Sequence, residues 1–206
     1  MARRERFKWL KGLTLTLQIL FWGITALEAL ALAVWLFGAT ATSANRYTYL
    51  GLGAIPAFLG FALHIATIPV LPAWTGVAAA ARPYKAGDNT RLWAWLGYLI
   101  PAVSYVAPVL VLRAVAREAA PSNSGMRVLA LLFWLARLTT SVAGVFVVAL
   151  ISMLVTRDGP ENNASVLFGI IASCLCAGSF LGARLVTGLS RAVVAHTTGA
   201  EQADVF

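Results

Sequence analysis

The chain has 206 residues, 60% of them hydrophobic and only 12% charged, about half the charged fraction of an ordinary soluble domain. That composition excludes a soluble globular protein and marks an integral membrane protein. The formal net charge of +8 does not point to nucleic acid, because no soluble stretch is long enough for a binding domain; Lys and Arg read instead as topology determinants, which gather in short cytoplasmic loops.

The opening segment, 1–12, carries Arg3, Arg4, Arg6, Lys8 and Lys11 ahead of a long apolar run. It has no small-residue cleavage site, and the run that follows is too long for a signal peptide. It therefore reads as a retained anchor, its basic end cytoplasmic and Trp9 at headgroup level. A first transmembrane helix is predicted over 13–37, and the nearly uncharged GATATSANR after it suits the outer face. A second is predicted over 47–71. In it Gly51, Gly53 and Gly60 permit close approach of a neighbour, while Pro56 and Pro69 bend or end it. The polar linker from Ala73 to Arg91 sets Arg82, Lys85 and Arg91 against Asp88 and reads as cytoplasmic.

The stretch 92–112 is apolar enough to enter a membrane but is interrupted by Pro101 and Pro108, each of which removes a backbone donor. The segment after it, Arg113 to Arg127, holds three arginines against Glu118. Further transmembrane helices are predicted over 128–156 and 164–187, joined by RDGPENNAS, with a polar, frayed tail over 188–206.

Charge decides the number of crossings. If 92–112 enters and returns on one side, the N-terminal segment, the middle region and the C-terminus hold 5, 6 and 2 of the 16 basic residues, and the outer loops hold only Arg46 and Arg157. If it crosses fully, this bias collapses. The expected fold is therefore all-α, a single membrane domain of four transmembrane helices plus a proline-broken re-entrant or interfacial segment. Five transmembrane helices is the alternative. Both termini are expected in the cytoplasm of a bacterial cell whose cytoplasmic membrane holds the protein.

Three polar residues stand out inside the apolar runs: Glu28, His64 and Arg137. An ionisable group at membrane depth is costly and needs a partner, water or a change of protonation. Glu28 reads either as a proton or cation site or as a structural carboxyl paired across the bundle, with Arg137 one candidate partner. Arg137 has two other routes, toward the headgroups or toward carbonyls freed by the two prolines. His64 lacks a His, Cys or carboxylate at one-turn spacing, which disfavours a metal site. Gly178 and Gly182 form Gly-x-x-x-Gly in the last helix, a close-packing face for another helix of the same chain or of a second copy. Cys174 and Cys176 lie in an apolar run with Cys-x-Cys spacing, which gives neither a redox pair nor a metal set. No metal or cofactor is expected, and no catalytic constellation can be assembled.

In WLGYLIPAVSYVAPVLVLR, Trp95, Pro101, Pro108 and Arg113 fall in an order that, followed by Trp134, resembles an uncharacterised bacterial membrane-domain family best represented in actinobacteria. Its members look like small multi-helix proteins with a Trp-rich segment ending in proline, a second proline seven residues on and an arginine five beyond. The likeness covers Arg91 to about Ala149. The preceding helix, FLGFALHIATIPVL, lacks the arginine and asparagine that the family often has there. The resemblance implies no reaction or ligand.

The expected function is that of a small non-enzymatic membrane protein, an accessory, regulatory or structural partner acting through helix packing. Its expected partners are membrane lipids and either another membrane protein or a second copy. The alternative is a small transporter or channel-like protein using the intramembrane polar residues beside the proline-broken segment.

Overall fold

The computed structural model describes residues 3–40, 43–80, 89–99, 106–138 and 161–203, and every regular element among them is an α-helix. In chain order these are α1 (Arg3–Thr40), α2 (Ser43–Ala80), α3 (Thr90–Leu99), α4 (Ala107–Ala119), α5 (124–138) and α6 (Glu161–Ala203). Three are long and apolar enough to cross a membrane, over Glu5–Gly38, Gly51–Ala80 and Gly169–His196. Of the span expected over 128–156, residues 139–156 lie outside the described residues.

Small residues set the spacing between these helices. A Cβ added at Gly53 would stand 3.5 Å from Val34, and one at Gly23 would stand 3.0 Å from Leu63. Farther down, Arg6 donates to the Ala80 carbonyl at 3.0 Å, so α1 and α2 run antiparallel along most of their length. The same holds for α1 and α6, where Trp35 meets Gly169 at one end and Thr14 meets Ser190 at the other. On α5, Met126 lies against Gly188, Phe133 against Gly182 and Ala136 against Gly178, so α5 also runs antiparallel to α6.

All three long helices run past their expected ends. At 1.5 Å per residue, the 38 residues of α1 extend about 57 Å, well beyond the roughly 30 Å of hydrocarbon. From Arg3 onward the basic segment forms the first turns of α1. Helix α2 continues through Pro56, Pro69 and Pro72 to Ala80. Each proline forfeits one bond, but beyond the last one Trp74, Thr75, Ala78 and Ala79 are buried, and their packing holds the turns that the sequence assigns to a linker. For the same reason the tail is helical to Ala203: Leu185, Val186, Leu189 and Val193 form a buried stripe at helical spacing.

The two-proline stretch is neither one helix nor one line. Helix α3 has 10 residues and α4 has 13, about 15 and 20 Å, each short of the hydrocarbon thickness. In an unbroken helix, Gly97 and Ala107 would stand about 15 Å apart along the axis. Here Ala107 Cβ is 2.7 Å from where a Gly97 Cβ would sit, so the chain has folded back on itself. Pro108 opens α4, where its missing donor costs nothing. Val111, Leu112, Val115 and Ala116 then join the common core with Leu17, Phe21, Trp74, Phe133 and Leu189.

Candidate functional site

Two polar tiers cross the bundle. The lower one lies where the N-terminal half of α1 meets the C-terminal halves of α2 and α6. Thr14 donates to its own helix at Leu10 (2.6 Å), which leaves its oxygen to accept from Ser190 at 2.7 Å. Trp74 Nε1 then donates between the two hydroxyl oxygens, at 3.2 Å to Thr14 and 3.1 Å to Ser190. One turn up, Gln18 Nε2 donates to Thr187 Oγ1 at 2.6 Å, and Thr187 donates on to Ala183 at 2.7 Å. In the Thr14–Ser190–Trp74 cluster every hydroxyl and indole hydrogen has an acceptor, as burial requires, whereas Arg6 Nε, farther down the same seam, is buried without one.

The middle tier holds the three ionisable residues singled out above. Glu28, on α1, is 1% exposed and lies against Gly60 of α2, where a Cβ would come within 2.5 Å of its Oε1 and 3.1 Å of its Cδ. Glycine at this position lets the carboxyl pack directly on the α2 backbone, and a methyl there would displace it. Glu28 Oε1 has no hydrogen-bond partner, and neither has the buried Nδ1 of His64. His64 is one turn beyond Gly60 on the same face of α2.

Arg137, on α5, reaches Thr67 Oγ1 at 3.5 Å, the long limit of a hydrogen bond. Thr67 in turn donates to the His64 carbonyl at 2.7 Å. The Arg137 guanidinium lies within electrostatic reach of both the His64 imidazole and the Tyr98 hydroxyl. Among the described residues no ion pair joins Arg137 to Glu28. Arg137 instead ties α5 to α2 and faces α3, where Tyr98 stands edge-on to Trp134 with centroids 6.4 Å apart. Because Thr75 donates to Leu71 (2.8 Å), Tyr98 is the donor in its 3.2 Å bond to Thr75.

His64 and Arg137 share a small cavity of ≈ 10 Å³ with Cys174, Ser179 and Gly178, closed by Phe21, Phe133 and Leu175. That is about the space one water needs. Glu28 lies outside its lining.

The other candidates fall apart from this tier. Pro108 is buried at the start of α4, and Arg113 is exposed on the same helix. Trp95 lies on α3 with its side chain outside the described set, and Pro101 lies outside the described residues altogether. Gly178 and Gly182 pack within the chain: a Cβ at Gly178 would meet Ala136 at 3.3 Å, and one at Gly182 would meet Phe133 at 2.8 Å and Phe21 at 3.0 Å. Cys176 is free and donates weakly to the Thr25 carbonyl at 3.7 Å. Among the described residues no three His, Cys, Asp or Glu side chains come together as a metal set.

Thr67, Tyr98, Ser179 and the Trp74–Thr14–Ser190 cluster were not singled out by sequence. Their only signal is a hydroxyl or indole inside an apolar run. Comparison with known protein families, with curated proteins and with solved structures returns no match.

Proposed function

We propose that this is a non-enzymatic protein of a bacterial cytoplasmic membrane, an accessory, regulatory or structural component that works by packing against a membrane partner. In this reading the chain crosses four times, with 128–156 as the third crossing. The α3–α4 pair is a re-entrant hairpin on the cytoplasmic side, and both termini are cytoplasmic. Membership of the actinobacterial Trp/Pro/Pro/Arg family belongs to the same proposal.

The observation that carries it is how the small residues are divided. The glycines of α6 are consumed inside the bundle, whereas Gly51, Ala54, Ala62 and Ala66 of α2 are exposed, and nothing lies within 4 Å of a Cβ at Gly51. Around them Leu52, Ile55, Phe58, Ile65 and Ile68 are exposed as well. Small residues on an outward helix face let a second helix approach closely in lipid, where packing rather than the hydrophobic effect drives association.

The test is photocrosslinking from Ala62 in native membranes, with Gln202 as a control site far along α6. A discrete crosslinked species from Ala62 and none from the control is expected. Recovery of monomer alone from both sites contradicts the proposal.

The transporter reading has one observation in its favour, the shared His64–Arg137 cavity, and proton flux into vesicles loaded with a pH dye is its test. Its weakness is steric: Phe21 and Phe133 meet edge-on at 5.8 Å beside that cavity.

A further inference from the structure

We infer that Glu28 is a proton-binding site in the middle of the membrane, a carboxylic acid held in its hydrogen-bearing form inside the α1–α2 seam. The inference goes beyond the packing reading and stands whether or not a partner is found.

Three observations converge on it. The residue is 1% exposed, and its Oε1 has no partner. The opposing helix carries a glycine where the carboxyl packs, since a Cβ at Gly60 would stand 2.5 Å from Oε1 and 3.1 Å from Cδ and would push the carboxyl aside. The charged and titratable groups on the packed elements do not neutralise it. On α2, His64 lies one turn away with an orphan Nδ1 of its own. On α6, the free thiol of Cys176 is close enough to feel the carboxyl and donates to Thr25. On α5, Arg137 turns to Thr67.

An ionised carboxylate in such surroundings pays its full desolvation cost with no counter-charge. Binding a proton removes that cost. A metal cation is the poorer occupant, because Ca²⁺ or Mg²⁺ takes about six or more oxygen ligands, and the neighbours here offer an imidazole and a thiol. The Nδ1 of His64, on the facing helix, is likewise buried without a partner.

The test uses the full chain in phospholipid vesicles and N,N′-dicyclohexylcarbodiimide, a lipophilic reagent that attacks only protonated carboxyls. The acid proton moves to a carbodiimide nitrogen, the carboxyl oxygen bonds to the central carbon, and the adduct rearranges to a stable N-acylurea that keeps every atom of both reactants. Peptide mass spectrometry is expected to find the adduct at Glu28, to lose it in Glu28→Gln, and to see it fall roughly tenfold per pH unit once the group titrates.

Infrared spectra give an independent reading should the reagent fail to reach the seam. A protonated-acid carbonyl band present in wild type at neutral pH and missing in Glu28→Gln supports the site. A carboxylate band at neutral pH assigned to Glu28 by the same substitution overturns it.

Discussion

The lower and middle polar tiers use the same three long helices, yet they are finished differently. Around Trp74 each hydroxyl and indole hydrogen has an acceptor, and the network closes through Thr14, Ser190, Gln18 and Thr187. Around Glu28 the packing is as tight, but two buried atoms, Glu28 Oε1 and His64 Nδ1, have no partner. Neutral donors that only hold helices together can be fully satisfied and then do nothing else. Groups that exchange protons gain a role from being left short of a partner, since a small change in their surroundings changes their charge. The lower cluster closes its bonds, and the middle tier keeps two buried polar atoms unpaired, which is what the proposed proton site at Glu28 requires.

Substitutions can break or sharpen that contrast. The largest effect is expected from Phe133→Ala, which empties the layer between the tiers where Phe133 is 1% exposed and meets Phe21 edge-on. Such a cavity costs about 3–5 kcal/mol, read as a loss of folded protein in thermal unfolding in detergent. It should also open the His64 cavity to water, raising the rate of hydrogen exchange there while the Trp74 cluster stays protected. Equal loss of protection in both tiers would erase the distinction.

Gly182→Ala comes next. Its methyl would press on two aromatic rings, 2.8 Å from Phe133 and 3.0 Å from Phe21, and rings cannot yield by a rotamer change alone. Overpacking of this kind costs about 1–3 kcal/mol. Gly51→Ala, facing open space, should cost nothing measurable in the same assay. A Gly182→Ala protein as stable as wild type would show that the seam between α5 and α6 is looser than described.

Smaller still is Trp74→Phe. The indole donor disappears, but Thr14 and Ser190 keep their own 2.7 Å bond, so no buried group is orphaned and the loss should be about 1 kcal/mol. A loss several times larger would mean that the lower tier depends on Trp74 as a hub.

What could be read from sequence was set by range. The apolar runs declare four crossings, three of which are long helices among the described residues, Glu28 declares its own expense, and Pro101 with Pro108 declare a break. The ends of α2 and α6 could not be read, because prolines and a polar tail argue locally for termination while Trp74, Leu189 and Val193 hold those turns by contacts with distant helices. The hydroxyl pairings were equally hidden: Thr14 and Ser190 are 176 residues apart, and no local pattern links them. Glu28 and Arg137 look like natural partners on charge alone. The packing sends them to different neighbours, Gly60 and Thr67, and that separation leaves the carboxyl free to be a proton site.

The reversal between Gly97 and Ala107 carries the topology, and it can be tested from outside. In a background with Cys174→Ala and Cys176→Ala, cysteines placed at the exposed Asn89 and Asn123 flank the α3–α4 pair. A membrane-impermeant maleimide applied to sealed vesicles of known orientation reads the side of each. A re-entrant hairpin predicts that both positions label from the same side, the side that also labels a cysteine introduced at Lys8. Labelling of Asn89→Cys and Asn123→Cys from opposite sides would contradict the hairpin and restore a full crossing between them.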